Sequence, residues 1–300
     1  MYEETLIAWA HHTINFWWGC NMVSKECQGC YVDEAMTNKK LNFNVVRRTS
    51  DWGKAYSLNA EAARQEKCAL VFTCSYPDFF HKDADLWRPK VWQIIRECKN
   101  LIWLILTKRP ERIKQCLPPD WGDGYDNVWL GVTVGVKASY PRLEELRKVP
   151  CKLRFISIEP LLESLSDINL TGFSWLLVGG MSGPTWAENK MQIEWAAEIY
   201  ERSKDYPDVH YFYKQSSARR SERGIDALGR YLGLLKGGKA DLIREIPPAD
   251  LPMLPLSIEK GHRFTDDEWT EYQQASPPSA PTLPSLLPGT QFVPVEALST

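Results

Sequence analysis

Apolar and polar positions along this chain segregate into blocks rather than alternating residue by residue. From residue 69 onward one theme recurs: a short aliphatic, β-branched or aromatic run, a polar or Gly/Pro turn, then an amphipathic stretch. The runs are ALVFTC (69–74), LIWLILT (101–107), VWLGVTV (128–134), KLRFISI (152–158), SWLLVGG (174–180) and VHYFYKQ (209–215). Nearly continuous apolar runs mark strands buried on both faces, as in a parallel sheet. Between them, RPKVWQIIRECK (88–99), SYPRLEELRKV (139–149) and IEWAAEIYERSK (193–204) carry helical periodicity. The runs start roughly 22–35 residues apart, the length of a βα unit. Taking TINFWW (13–18) as a first strand brings the count to about seven. The expected fold is α/β: a full or partial (β/α) TIM-type barrel of mostly parallel strands, with a doubly wound open sheet as its competitor.

The barrel reading spans residues 1–246, with a helix-and-loop insertion at about 37–68 that contains Arg47 and Arg48. Composition changes after residue 247. SPPSAPTLPSLLPGT (276–290) predicts an extended, partly disordered Pro/Ser-rich tail, and FTDDEWTEYQQ (264–274) predicts one helix with Thr265 as its N-cap.

A hydrophobic fraction of 44% is ample for a core, while a net charge of −2 provides no global basic field, so any nucleic-acid contact must be local. No apolar run is long enough to span a membrane, and MYEETLIAWAHH lacks the basic leader and apolar centre of a signal peptide. The expectation is a cytoplasmic chain with no membrane contact. There, clustered cysteines point to metal or redox chemistry rather than disulfides. Cys68, Cys74, Cys98, Cys116 and Cys151 are scattered among apolar neighbours and read as small buried hydrophobes.

Side chains at the C-terminal ends of barrel strands converge on one face. That rim would collect Ser75 and Asp78, then Thr107, Lys108 and Arg109, then Thr133, Ser157 and Glu159. Gly179, Gly180 and Ser182 follow, and then Lys214 and Gln215. Each has a plainer reading. Asp78 could cap a turn, Lys108 and Arg109 could be a solvated loop, and Glu159 could pair with a basic neighbour. GGMSGP lacks the lysine of a P-loop and the spacing of a dinucleotide fingerprint, although its amides could cradle an anion. His11 and His12 read as structural.

The densest chemistry lies in INFWWGCNMVSKECQGCY (14–31), where Cys20, Cys27 and Cys30 fall within eleven positions. Three thiolates could hold zinc with a histidine or remote cysteine as fourth ligand, or an iron–sulfur cluster. A zinc ribbon would add a second Cys or His pair, yet the next cysteine is Cys68. A four-iron cluster on three local ligands would leave one iron open, a hint of catalysis. Three thiols packed without metal is the bland alternative.

The series HHTINFWWGCNMVSKECQGCYVDE, VVRRTSDWGKAYSLNAEA, FTCSYPDFFH, LILTKRPERI, NVWLGVTV, RFISIEPLL, WLLVGGMSGP and FYKQ runs in order through roughly residues 8–235. It resembles the phage-associated three-cysteine-motif family of radical-SAM-like proteins. The resemblance implies a (β/α) barrel distantly like spore photoproduct lyase, working in the cytoplasm of phage-infected or host bacteria. It also implies a 4Fe-4S cluster whose open iron chelates S-adenosylmethionine, cleaved on reduction to start radical chemistry. Carried across, Cys20, Cys27 and Cys30 are the metal ligands, shielded by Trp18 and Tyr31. Ser75, Asp78, Thr107, Glu159, Gly179, Gly180, Ser182 and Gln215 become cofactor contacts. Lys108, Glu159 and Lys214 become candidate catalytic groups, and Arg47, Arg48 and Arg109 substrate or phosphate contacts. The partners implied are S-adenosylmethionine and an electron donor, with nucleic acid and a partner protein as further candidates.

Two departures matter. The six-residue gap between Cys20 and Cys27 exceeds the three of most radical-SAM enzymes, although it suits this family. Met181 stands where the family often has the glutamate of GGESGP, so any carboxylate role there is lost. Two competing functions remain open. One is a non-catalytic zinc or iron–sulfur module that binds nucleic acid or a partner through KQSSARRSERGIDALGR (214–230). The other is an iron–sulfur protein that transfers electrons or senses redox state without cleaving S-adenosylmethionine.

Overall fold

A computed structural model describes residues 5–220, 223–234, 243–249, 252–256 and 263–274. The Pro/Ser-rich segment 276–290 lies outside the described residues.

The apolar runs form strands almost where the pattern places them: β4 (Ala69–Thr73), β5 (Leu101–Thr107), β6 (Val128–Thr133), β7 (Leu153–Ile158), β8 (Trp175–Gly179) and β9 (His210–Gln215). Helices α3 (Arg88–Glu97), α5 (Pro141–Arg147) and α6 (Ile193–Ser203) fall on the amphipathic stretches between them. Arg88–Glu97 has Pro89 in its first turn, where a missing N–H costs nothing.

TINFWW is not one strand. It divides into β1 (His12–Ile14), which pairs in parallel with β4, and β2 (Trp17–Trp18), which leaves the sheet and pairs antiparallel with β3 (Arg47–Arg48). Local hydrogen bonds cause the break. The Asn15 side chain accepts from the Tyr76 N–H at 2.9 Å, and the Phe16 carbonyl accepts from the Thr49 N–H and the Trp52 indole. The three cysteines therefore follow a short side ribbon, not a barrel strand. The segment between β2 and β4 also holds α1 (Tyr31–Asn38) and α2 (Lys54–Arg64).

Seven parallel strands, in the order β1-β4-β5-β6-β7-β8-β9, curl into a half-barrel with interleaved helices. Strand order follows chain order, so each helix crosses back over its own strand pair as in a (β/α) barrel, and the doubly wound alternative falls away. β1 and β9 remain edges, so the barrel is not closed.

The N-terminal end of the strands is filled by large side chains. Trp9 packs on Phe72 with ring centroids 4.5 Å apart and edge-on to Trp175 at 6.1 Å. Gly131 makes this possible, because a Cβ there would lie 2.3 Å from the Phe155 ring. Residues 252–256 cover the same end: Cys68 N–H donates to the Pro252 carbonyl at 2.7 Å, and Met253 and Leu256 pack on the core. His11 is structural, with Nδ1 accepting from the Leu70 N–H and Nε2 bonded to the Leu254 carbonyl. Asp266–Gln274 forms helix α8, within a separate unit that begins at Asp266. Among the described residues no helix is long and apolar enough to cross a membrane.

Candidate metal centre

With the N-terminal end plugged, the C-terminal end opens into a cavity of about 670 Å³. Cys20, Cys27 and Cys30 all line it, half-buried and free of disulfides. The loop that carries them is shaped by two glycines. Gly19, at φ +94°, turns the chain out of β2, where a Cβ would lie 2.2 Å from the Val45 carbonyl oxygen. Gly29, at φ +66°, lets the loop pass so close to Thr185 that a Cβ would sit 1.8 Å from its Oγ1. Cys20 N–H donates to the Phe43 carbonyl at 2.8 Å, and Cys30 directly precedes α1.

Glu26 anchors the middle of the loop. Its buried Oε1 accepts from the Gly135 N–H at 3.1 Å, Ser139 Oγ at 2.5 Å and Arg142 Nη1 at 3.1 Å. Burial opposes its ionisation, yet the serines and Arg142 hold its carboxyl down at about 2. The sequence does mark this position as charged, but nothing in it shows that the charge is buried against residues more than a hundred positions away.

Behind Cys20 stands a second network. Asp78 is buried and accepts from Phe80 N–H and Lys108 N–H, each at 2.9 Å, and from Thr107 Oγ1 at 2.8 Å. Its carboxylate also pairs with Arg109 Nη1 at 3.1 Å. Arg109 in turn donates to Asn21 Oδ1 at 2.5 Å and to Cys20 Sγ at 3.6 Å. Asn21 is also bonded to buried His81, whose imidazole is held below its usual range by burial and by Arg109. Asp78 and Thr107, expected as cofactor contacts, thus spend their polar atoms on scaffolding. Arg109 faces the thiol rather than a phosphate in solvent.

Burial pushes the Cys20 and Cys30 thiols up, against the pull of Arg109 on Cys20 and of the Val32 N–H and Lys108 on Cys30. Among the described residues no group of three or more His, Cys, Asp or Glu is gathered tightly enough to hold one metal ion. A polynuclear cluster asks for less, because each thiolate takes its own iron. Three free thiols on one wall, cations beside two of them and open space in front fit that donor set better than they fit a single zinc.

Across the cavity, Glu159 and Lys214 form an ion pair bridging the ends of β7 and β9. Lys108, Ser75 and Ser182 also line the cavity, as do Trp18 and Tyr31. Tyr31 is 40% exposed and donates its hydroxyl to the Ser75 carbonyl, so it forms rim rather than a lid. Thr133 and Ser157 line the floor.

Gly179, Gly180 and Gln215 do not line it. Gly180 N–H donates to the Gln215 carbonyl at 3.0 Å, and its own carbonyl accepts from Gln215 Nε2 at 3.1 Å. Its lack of a side chain answers to packing, because a Cβ there would lie 2.4 Å from Ser217 N. Met181 and Ser182 are the parts of that loop that reach the cavity.

Arg47 and Arg48 sit on β3, outside the cavity lining, with Arg48 4.3 Å above the Trp52 ring. The basic stretch 214–230 is not one charged face: Lys214 is committed to Glu159 and Arg230 to Asp226, leaving Arg219 and Arg220 exposed.

A family model described as "Protein of unknown function (DUF5131)" matches residues 4–244. No curated protein and no solved structure matches the chain.

Proposed function

The chain belongs to the DUF5131 family of proteins of unknown function, and we propose from its own residues that it is a radical-SAM-like iron–sulfur enzyme. The observation that carries this reading is the convergence of Cys20, Cys27 and Cys30 on one cavity at the C-terminal mouth of a parallel half-barrel. The resemblance to the phage-associated three-cysteine-motif proteins supports it. Such proteins hold a 4Fe-4S cluster that, with S-adenosylmethionine bound, supplies a carbon-centred radical.

In this reading Cys20, Cys27 and Cys30 hold the cluster through one thiolate each. Arg109 and Lys108 offset the negative charge that the thiolates bring into a half-buried wall. The aromatic plug under the cavity keeps water from entering through the N-terminal end. The Glu159–Lys214 pair offers one acceptor and one donor to the polar end of a bound molecule, and Ser75, Ser157 and Ser182 add hydroxyls. A cytoplasmic setting suits eight free cysteines. Nucleic-acid modification or repair is a candidate reaction. Trp18, Tyr76 and Tyr31 form a connected aromatic rim with centroids 5.9 and 6.3 Å apart, suited to stacking on bases.

Anaerobic reconstitution tests the reading. Four irons per chain, lost when the three cysteines are changed to alanine, and 5′-deoxyadenosine formed under reducing conditions are the expected results. An iron-free protein, or a cluster that survives the triple substitution, refutes it. A cluster that gives no spectral response to S-adenosylmethionine points instead to electron transfer or redox sensing.

A further inference from the structure

The cysteine loop has two sides, and only one faces the cavity. Cys27 and Cys30 also line a second groove, of about 300 Å³, formed with Met22, Phe43 and Asn44. The two thiols therefore lie in a thin wall between the cavity and the outer surface. That surface is unusually apolar for an exposed loop: Met22 is 64% exposed, and Val23 and Val45 are each 47% exposed. The hydrogen bond between Cys20 N–H and the Phe43 carbonyl, and the close approach of Gly19 to Val45, hold the two loop segments side by side.

Around this centre the charge is one-sided. Lys25, Lys39, Lys40 and Arg48 are exposed, against Asp33 and Glu34, while Glu26 is buried. We propose that the outer face of the cysteine loop is the docking surface for an acidic one-electron carrier protein. The proposal rests on the cluster reading above.

An apolar centre with a charged rim is the anatomy of a protein interface, and the cationic rim would steer an acidic partner into place. The exposed centre here is aliphatic, with no aromatic face to stack a base. A nucleic acid fits the opposite, cavity side of the loop, where Trp18, Tyr76 and Tyr31 lie. The patch is small, as suits the weak, transient contacts of redox partners. In the step it serves, one electron passes from the reduced carrier to the cluster. The carrier is oxidised by one unit and the cluster reduced by one.

The test uses the full chain with a photoreduced acidic flavodoxin as the probe. Two variants, Met22→Asp/Val45→Asp and Lys25→Glu/Lys40→Glu, are compared with the parent. Binding of oxidised flavodoxin to the metal-free protein should weaken by about tenfold or more in each, and parent binding should weaken as salt rises. With reconstituted protein, carrier-driven bleaching of the cluster should slow by a similar factor, while iron content and reduction by dithionite stay at parent values. Flavodoxin binding and carrier-driven bleaching that match the parent in both variants overturn the proposal. So does a result in which the variants lose affinity for single-stranded oligonucleotide instead. If the parent binds no iron at all, the cluster reading fails, and this proposal fails with it.

Discussion

Asp78→Ala is the substitution whose cost the structure defines most fully. Asp78 receives hydrogen bonds from two backbone N–H groups and the Thr107 hydroxyl, and an ion pair from Arg109, all within a buried site. Removing the carboxylate leaves the Arg109 guanidinium, 8% exposed, without its counter-charge. Breaking one side of a buried pair costs about 3–5 kcal/mol. The orphaned N–H groups of Phe80 and Lys108 push the loss toward the upper end. For a domain of this size that corresponds to a fall of roughly 6–15 °C in Tm. Asp78→Asn keeps one acceptor oxygen and should cost less, about 1.5–3 kcal/mol. Urea or thermal melts of the metal-free protein provide the measurement. Adding Arg109→Leu to Asp78→Ala should cost little more, because the buried cation is then removed as well. An Asp78→Ala protein within about 1 kcal/mol of the parent, or a double variant whose losses simply add, would refute the network.

Glu26→Ala removes the acceptor for Gly135, Ser139 and Arg142; a loss of about 3 kcal/mol is expected, with faster thiol alkylation of Cys27 as the loop is released, and an unchanged alkylation rate would count against the anchor. His81 is held below its usual range, so the unfolded chain binds the extra proton. Its stabilising effect is complete above about pH 6.5 and is lost as pH falls through that value. Melts at pH 7 and pH 5 should show this loss, and His81→Gln should flatten it; an equally steep profile in the variant would assign the effect elsewhere. Gly180→Ala forces a Cβ to 2.4 Å from the Ser217 backbone, and about 1–3 kcal/mol of overpacking should appear in urea melts. A variant of parent stability would restore a ligand-contact role as the reason for glycine there.

The chain's local pattern determined the strands, most helices and the parallel sheet, because runs buried on both faces must be continuously apolar and each is separated by one crossover helix. It also determined that three thiols travel together, because Cys20, Cys27 and Cys30 lie within one short loop. What it could not show was the end of the first strand. Asn15 and Phe16 take hydrogen bonds from residues tens of positions downstream, and those bonds turn TINFWW into two strands. Nor could it separate rim residues that face the cavity from those that brace it. Asp78, Thr107 and Gln215 have the same chemistry whether they meet a ligand or a backbone N–H, and only the three-dimensional neighbours decide. The roles of Glu26 and Arg109 were invisible for the same reason. A buried charge is defined by the partners that offset it, and here those partners come from strands far apart in the chain. Spacing along the sequence determined the donor set; tertiary structure decided what surrounds it.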